Sequence, residues 1–160
     1  MGKLRGFEVI DEDLLPRYDN GHQKKPCMPC HATVESAGYD IKALGEGVIM
    51  PGQSVKIHTG IKAYMQHGEV LKLYGRSSLG IKHGIVLSNG TAIIDADYYG
   101  NPTNDGEIII GLRNEGHEPF RVNYGDRIAQ GIFQTYLSAD KNTVQEVGAD
   151  RIGGIGSTGI

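Results

Sequence analysis

The sequence predicts an all-β fold, a mostly antiparallel barrel or sandwich, on three observations. Glycine supplies 24 of the 160 residues, about twice ordinary usage, and six prolines add further turn points. Apolar residues recur at every second position in short runs, the period of a half-buried strand rather than of a helix. The one helical candidate is brief, Ser77 to His83, opening with two serines suited to capping it.

The strands follow in order. Arg5 to Ile10 comes first and Gly47 to Met50 second. Ser54 to Tyr64 reads as one long strand with Val55, Ile57, Thr59, Ile61 and Ala63 on a common face. Val70 to Tyr74 and Ala92 to Asp95 flank the short helix. Glu107 to Arg113 buries Ile108, Ile110 and Leu112, and Pro119 to Val122 and Ile128 to Tyr136 complete the set. Gly, Asn or Pro ends each run, and no linker divides the chain before residue 148. The expected organisation is one domain, residues 1–147, with a glycine-rich arm, residues 148–160.

Composition narrows the function. Sixteen Lys and Arg against nineteen Asp and Glu give a net charge of −3 without a basic block. A sequence-independent nucleic-acid binder needs a cationic face, so none is expected. No stretch has the apolar length to span a bilayer, and the first residues lack a signal-peptide core, so a soluble cytoplasmic protein without membrane partners is expected. Two cysteines, Cys27 and Cys30, suit a reducing compartment.

Four internal segments combine turn glycines with reactive polar groups: Ala37-Gly38-Tyr39-Asp40, Gly75-Arg76-Ser77-Ser78-Leu79-Gly80, Asn89 through Gly100, and Gly125-Asp126-Arg127-Ile128-Ala129-Gln130. The arm adds Arg151, Gly153, Gly154, Gly156, Ser157 and Thr158, whose backbone amides, hydroxyls and guanidinium suit a phosphate. It is no Walker A loop, since Gly-Lys-Ser/Thr is missing and too little chain follows for a helix. In this order, over residues 34 to 159, the five segments resemble the motifs of the trimeric dUTP diphosphatase (dUTPase) family.

That resemblance implies a compact jelly-roll-like β barrel, assembled as a homotrimer with three sites at subunit boundaries. It implies hydrolysis of dUTP to dUMP and pyrophosphate with Mg²⁺, which lowers dUTP and supplies dUMP for thymidylate synthesis. Asp95 matches the water-activating carboxylate, although an Asp at that place also suits a turn. With an ordinary pKa near 3.9 it would orient water and accept a proton late. Tyr98 matches the ring that packs on deoxyribose and excludes a 2′-hydroxyl, its plain alternative being a core tyrosine. Asn89, Gly90 and Ile94 belong to the hairpin that pairs with the uracil edge.

Arg76, Ser77 and Ser78 match the phosphate motif, with Gly75 where proline is usual, and the serines can serve both phosphate and helix. Gln130 matches a phosphate-side amide, with Arg127 structural. Asp40 is assigned toward magnesium-bound water, and no protein cage is expected, because magnesium keeps waters and phosphate oxygens. Arg151, Ile155, Gly156, Ser157 and Thr158 match the closing arm. Ile155 stands where an aromatic usually stacks on uracil, and the stretch between Arg151 and Gly153 looks one residue short. Pro102 to Gly106 lengthens the chain after the third motif without an assigned role.

Two other readings compete. A dCTP deaminase shares fold and phosphate site, but its catalytic glutamate position here holds Gly111. A non-catalytic nucleotide-sensing module is the other, weakened by the retained Asp95, Tyr98, Ser77, Gln130 and Arg151. An insertion of about residues 19–33 carries His22 and Cys27-Met28-Pro29-Cys30-His31. Its spacing matches haem c attachment, which needs export, or part of a zinc knuckle, which lacks a second cysteine pair. The remaining reading is a reduced surface loop outside the nucleotide motifs.

Overall fold

Residues 2–18, 21–140 and 143–144 are described by the structure, a computed structural model. Their strands are β1 (Gly6–Val9), β2 (Cys30–His31), β3 (Tyr39–Lys42), β4 (Gly47–Ile49), β5 (Ser54–His58), β6 (Ile61–Tyr64) and β7 (Glu69–Tyr74). After the helix α1 (Ser77–His83) come β8 (Ile85–Leu87), β9 (Ala92–Asp95), β10 (Ile109–Asn114), β11 (Phe120–Val122) and β12 (Arg127–Thr135). All named strand pairings are antiparallel. The all-β jelly-roll-like class is thereby met, with one short helix; the arm from 148 lies outside the described residues.

The chief sheet has the order β2-β3-β12-β7-β9. Its centre is β12, and on the neighbouring β7 Leu71 and Leu73 are fully buried. They fill the space a side chain at 131 would need, since a Cβ on Gly131 would lie 3.0 Å from Leu71 and 3.1 Å from Leu73. A smaller sheet, β5-β10-β8, closes over this face, and β10 aims Ile110 and Leu112 inward, both 1% exposed. The period-two pattern thus places the core as alternation requires.

The run from 54 to 64 does not form one strand. Gly60 takes φ +67°, and Thr59 turns its hydroxyl to the Ile108 carbonyl at 2.6 Å. The two halves consequently join different sheets, β5 pairing with β10 and β6 with β1. Thr59, Ile61 and Ala63 are buried nonetheless, so the shared apolar face survives the break. The serine cap is also corrected. Arg76 occupies the N-cap in extended conformation without a side-chain cap bond, and Ser77 and Ser78 form the first turn. At the other end Gly84, φ +67°, donates to the Gly80 and Leu79 carbonyls, the left-handed close that favours glycine.

Behind these sheets, Glu107 is 3% exposed and is held by the Gly60 amide at 2.9 Å and by His58 Nδ1 at 2.9 Å. The hydrogen bond to Glu107 raises the imidazole pKa above its ordinary 6.5, against a smaller lowering by burial. The fold therefore favours the protonated ring. Its stabilisation should be complete below about pH 6.5 and fade as pH rises through the folded-state value. Denaturation midpoints for wild type and His58→Gln should differ most on the acid side and converge above it; a gap independent of pH would refute the pair.

Gly106 has φ +82°, and a Cβ there would lie 2.4 Å from the Tyr98 carbonyl oxygen. That clash is with backbone, which cannot swing away. Gly106→Ala should cost roughly 2–4 kcal/mol in chemical denaturation, combining left-handed strain with displacement of the Tyr98 turn.

Candidate active site

Strand register assembles the site. Asp40 on β3 lies opposite Gln130 on β12, and Gln130 lies opposite Tyr74 on β7. Residues opposite one another share a face, so Asp40, Gln130 and Tyr74 form a transverse row. Directly after Tyr74 the chain leaves the sheet as Gly75 and Arg76 and enters α1 with Ser77 and Ser78. Asp40, Arg76, Ser77, Ser78 and Gln130 line one pocket of about 350 Å³. A second hollow of about 380 Å³ shares Arg76 and Ser77 and reaches Gly90 in the β8–β9 turn.

Asp40 is 6% exposed and organises the cations. Its Oδ1 lies 3.2 Å from Arg76 Nε, and its Oδ2 accepts from Arg127 at 3.3 Å. Arg76 also donates to the Arg127 carbonyl at 3.2 Å. One carboxylate between two guanidiniums leaves a net single positive charge, and the guanidiniums are fixed rather than free to wander. Gln130 Nε2 donates to the Gly75 carbonyl at 3.2 Å, tying the amide to the start of the phosphate segment. Arg127, read as structural, shares the carboxylate that orients Arg76.

Asp95 and Tyr98 are placed elsewhere in the chain. Asp95 lies opposite Val70, four residues along β7 from Tyr74, or about 13 Å at 3.3–3.4 Å per residue. It precedes the 3-10 turn Ala96–Tyr98 in extended conformation, and its side chain makes no cap bond to that turn. Tyr98 is 7% exposed; its hydroxyl donates to the Glu107 carbonyl at 3.0 Å and accepts from Asn104 Nδ2 at 2.7 Å. Asn104 belongs to the Pro102 to Gly106 segment, which thereby gains a role that its turn-like sequence did not signal. Ile94, opposite Leu71, is half-buried against the core, and the Gly90 amide donates to the Leu87 carbonyl at 3.1 Å. Asn89 shares that turn, its carbonyl accepting from the Thr91 amide at 2.8 Å.

Arg151, Ile155, Gly156, Ser157 and Thr158 lie outside the described residues. Among the described residues no group of three or more His, Cys, Asp or Glu gathers to hold a metal. Cys27 directs its thiol to the Tyr124 hydroxyl at 3.6 Å, whereas Cys30 pairs with Asp40 in the sheet. The insertion, although outside the nucleotide motifs in sequence, adjoins the pocket in space: β2 is the edge strand beside Asp40, and Ala32 lines the same pocket as Arg76. Cysteine spacing drew attention to metal ligands, while the relevant property was the strand's pairing register.

At Gly111 on β10, the position that would carry a deaminase's glutamate, a Cβ would lie in tight contact with the Ser88 side chain at 3.3 Å. No helix among the described residues is long and apolar enough to cross a membrane.

Comparison with known proteins bears on this arrangement. A family model for dUTPase matches residues 24–159. The deoxyuridine 5′-triphosphate nucleotidohydrolase of Lactococcus lactis subsp. lactis (strain IL1403) is 44% identical over 157 residues, spanning 98% of this chain and 99% of the relative. The crystal structure of dUTPase from Streptococcus mutans superposes with a TM-score of 0.71 at 38% identity, covering 84% of this chain and 98% of that one. A dUTPase from phage phi11 of S. aureus, which coordinates a structural Mg(II) ion, shares the fold with a TM-score of 0.68 at 19% identity, covering 91% and 99%. With a dUTPase family model matching residues 24–159 and these relatives matched over nearly their whole length, the chain belongs to the dUTPase family.

Proposed function

We propose that the protein is a dUTP diphosphatase, cleaving dUTP to dUMP and pyrophosphate in sites shared between the subunits of a homotrimer. The observation that carries this reading is the convergence of Asp40, Arg76, Ser77, Ser78 and Gln130, from three separate segments, into one pocket, with Arg127 on the same Asp40 carboxylate. The placement of Asp95 about 13 Å along the sheet from this row supports a shared site. A second copy would bring its Asp95 and Tyr98 to the phosphates bound by the first, as a closed symmetric ring allows.

In this mechanism Asp95 accepts a hydrogen bond from the attacking water and aligns it with the α-phosphorus. A new P–O bond forms, the bond from the α-phosphorus to the α–β bridging oxygen breaks, and pyrophosphate leaves. The water's proton passes to Asp95 and from there to solvent. Arg76 supplies positive charge to the triphosphate while Ser77, Ser78 and Gln130 supply hydrogen-bond donors, and their fixed positions reduce reorganisation as charge moves toward the leaving group. Arg151, Ser157, Thr158 and the Gly156 backbone would close over the phosphates, and Ile155 would cover the base by apolar contact alone.

The base is read by the hairpin of Asn89, Gly90 and Ile94, where backbone groups suited to uracil would be left unpaired by cytosine, each at about 1–3 kcal/mol. Tyr98, clamped at its hydroxyl by Glu107 and Asn104, offers a ring that cannot move aside for a 2′-hydroxyl. The donor set suits magnesium held by phosphate oxygens and its own waters, with Asp40 the carboxylate placed to accept from such a water. When bound, the ion would screen phosphate charge. The phi11 relative's Mg(II) supports metal use in this fold. The expected compartment is the cytoplasm, where Cys27 and Cys30, free thiols here, stay reduced.

Pyrophosphate release should be faster with dUTP than with dTTP, dCTP or UTP by roughly 10⁴ or more. Comparable turnover of dCTP would defeat the reading. Asp95→Asn should lower kcat at least about a hundredfold while nearly preserving dUTP affinity. Because the site is shared, dissociating and remixing Asp95→Asn with an inactive Arg76→Ala should restore about a quarter of wild-type activity. Each variant staying inactive after mixing would place Asp95 and Arg76 of one chain in the same site.

A further inference from the structure

We propose that the insertion preceding the first motif is a positioning element of the phosphate pocket, with His31 as its positioning residue. The inference rests on the proposed function only for the identity of the substrate. The pairing β2-β3 sets Cys30 opposite Asp40 and His31 opposite Tyr39, so the two insertion residues face opposite sides of the sheet. On the side away from the pocket, the His31 ring lies over Tyr39 with centroids 3.9 Å apart and planes 34° apart. Tyr39 in turn meets Phe7 at 5.3 Å and Phe133 at 6.1 Å, rings packed against the core. The stack therefore fastens an otherwise exposed two-residue strand to the rigid part of the fold.

His31 also reaches the pocket through the backbone. Its Nδ1 lies 3.2 Å from the Gly38 carbonyl, and since a carbonyl only accepts, Nδ1 carries the proton in this bond. Gly38 lies against Gln130, where a Cβ would come within 3.0 Å of the amide oxygen. Gln130 donates to the Gly75 carbonyl, and Gly75 leads into Arg76. One connected path thus runs from His31 through Gly38, Gln130 and Gly75 to the backbone of Arg76. On β3 the next residues are Tyr39 and Asp40, the carboxylate that orients both arginines.

Loss of the Nδ1 bond would let the Gly38 to Asp40 backbone drift from Gln130 and loosen the cation geometry. Donors that have loosened but are still present must be ordered when the triphosphate binds, and that cost falls on KM rather than on kcat once the complex has formed. His31→Ala should therefore raise KM for dUTP by roughly five- to tenfold and change kcat by less than about twofold. His31→Phe keeps a ring for Tyr39 but lacks the donor. It should regain most of the thermal stability lost in His31→Ala while its KM stays raised, a split that a purely structural role would not produce.

The same comparison by calorimetric titration with inorganic tripolyphosphate needs no turnover. Wild type should bind it, and both variants should bind roughly five- to tenfold more weakly. Wild-type affinity and KM in His31→Phe would overturn the proposal, as would a wild-type protein that does not bind tripolyphosphate. Should His31→Ala fail to fold, His31→Phe decides alone. A wild type that binds tripolyphosphate in this His31-dependent way without hydrolysing dUTP would defeat the proposed function and leave the positioning role standing.

Discussion

The paired guanidiniums of Arg76 and Arg127 around the buried Asp40 carboxylate are the constraint on which the rest of the site depends. A carboxylate removed from water costs several kcal/mol unless it is compensated, so Asp40 needs both partners. Two unpaired guanidiniums side by side would repel each other and splay apart. The central anion keeps them close, aims them, and still leaves one positive charge over. Arg127 stands at the start of β12 and Arg76 just after β7, so the pair ties together the neighbouring strands that carry Gln130 and Tyr74.

The sheet gives the site its division of labour. Near one end stand the cations and hydroxyls; along β7 toward the other stand Asp95 and the Tyr98 turn. Tyr98 could be read as an ordinary core tyrosine, and its burial agrees with that. Yet its hydroxyl is held at two points, and Gly106 packs against its carbonyl with no room for a side chain. Such overdetermination yields a ring that stays where it is. Residues 102–106 supply that rigidity.

The insertion shows the same economy. A two-residue strand has too few backbone bonds to hold itself on a sheet edge, and exposed edges invite pairing with other chains. Here it is held by ring contact on one face, and Ala32, directly after it, lines the pocket. It covers the β3 edge that would otherwise be open beside Asp40. The cysteines that dominate its sequence diverge in the structure, Cys27 toward Tyr124 and Cys30 toward the sheet.

Local pattern was sufficient for much of this molecule. Period two located most strands within a residue or two, the helix was legible as Ser77 to His83, and the polar motifs identified Asp40, Arg76, Ser77, Ser78 and Gln130 before any of them had neighbours. These signals are legible because they arise within a few residues, from side-chain alternation, turn conformation and side-chain chemistry. Tertiary structure alone decided that Ser54 to Tyr64 breaks at Gly60, that Arg127 shares Asp40, that Asn104 clamps Tyr98, and that His31 lies on Tyr39. Each depends on the register between segments far apart in the chain. A shift of one residue in such pairing would send every side chain to the opposite face, and no local periodicity records which register the packed core selects.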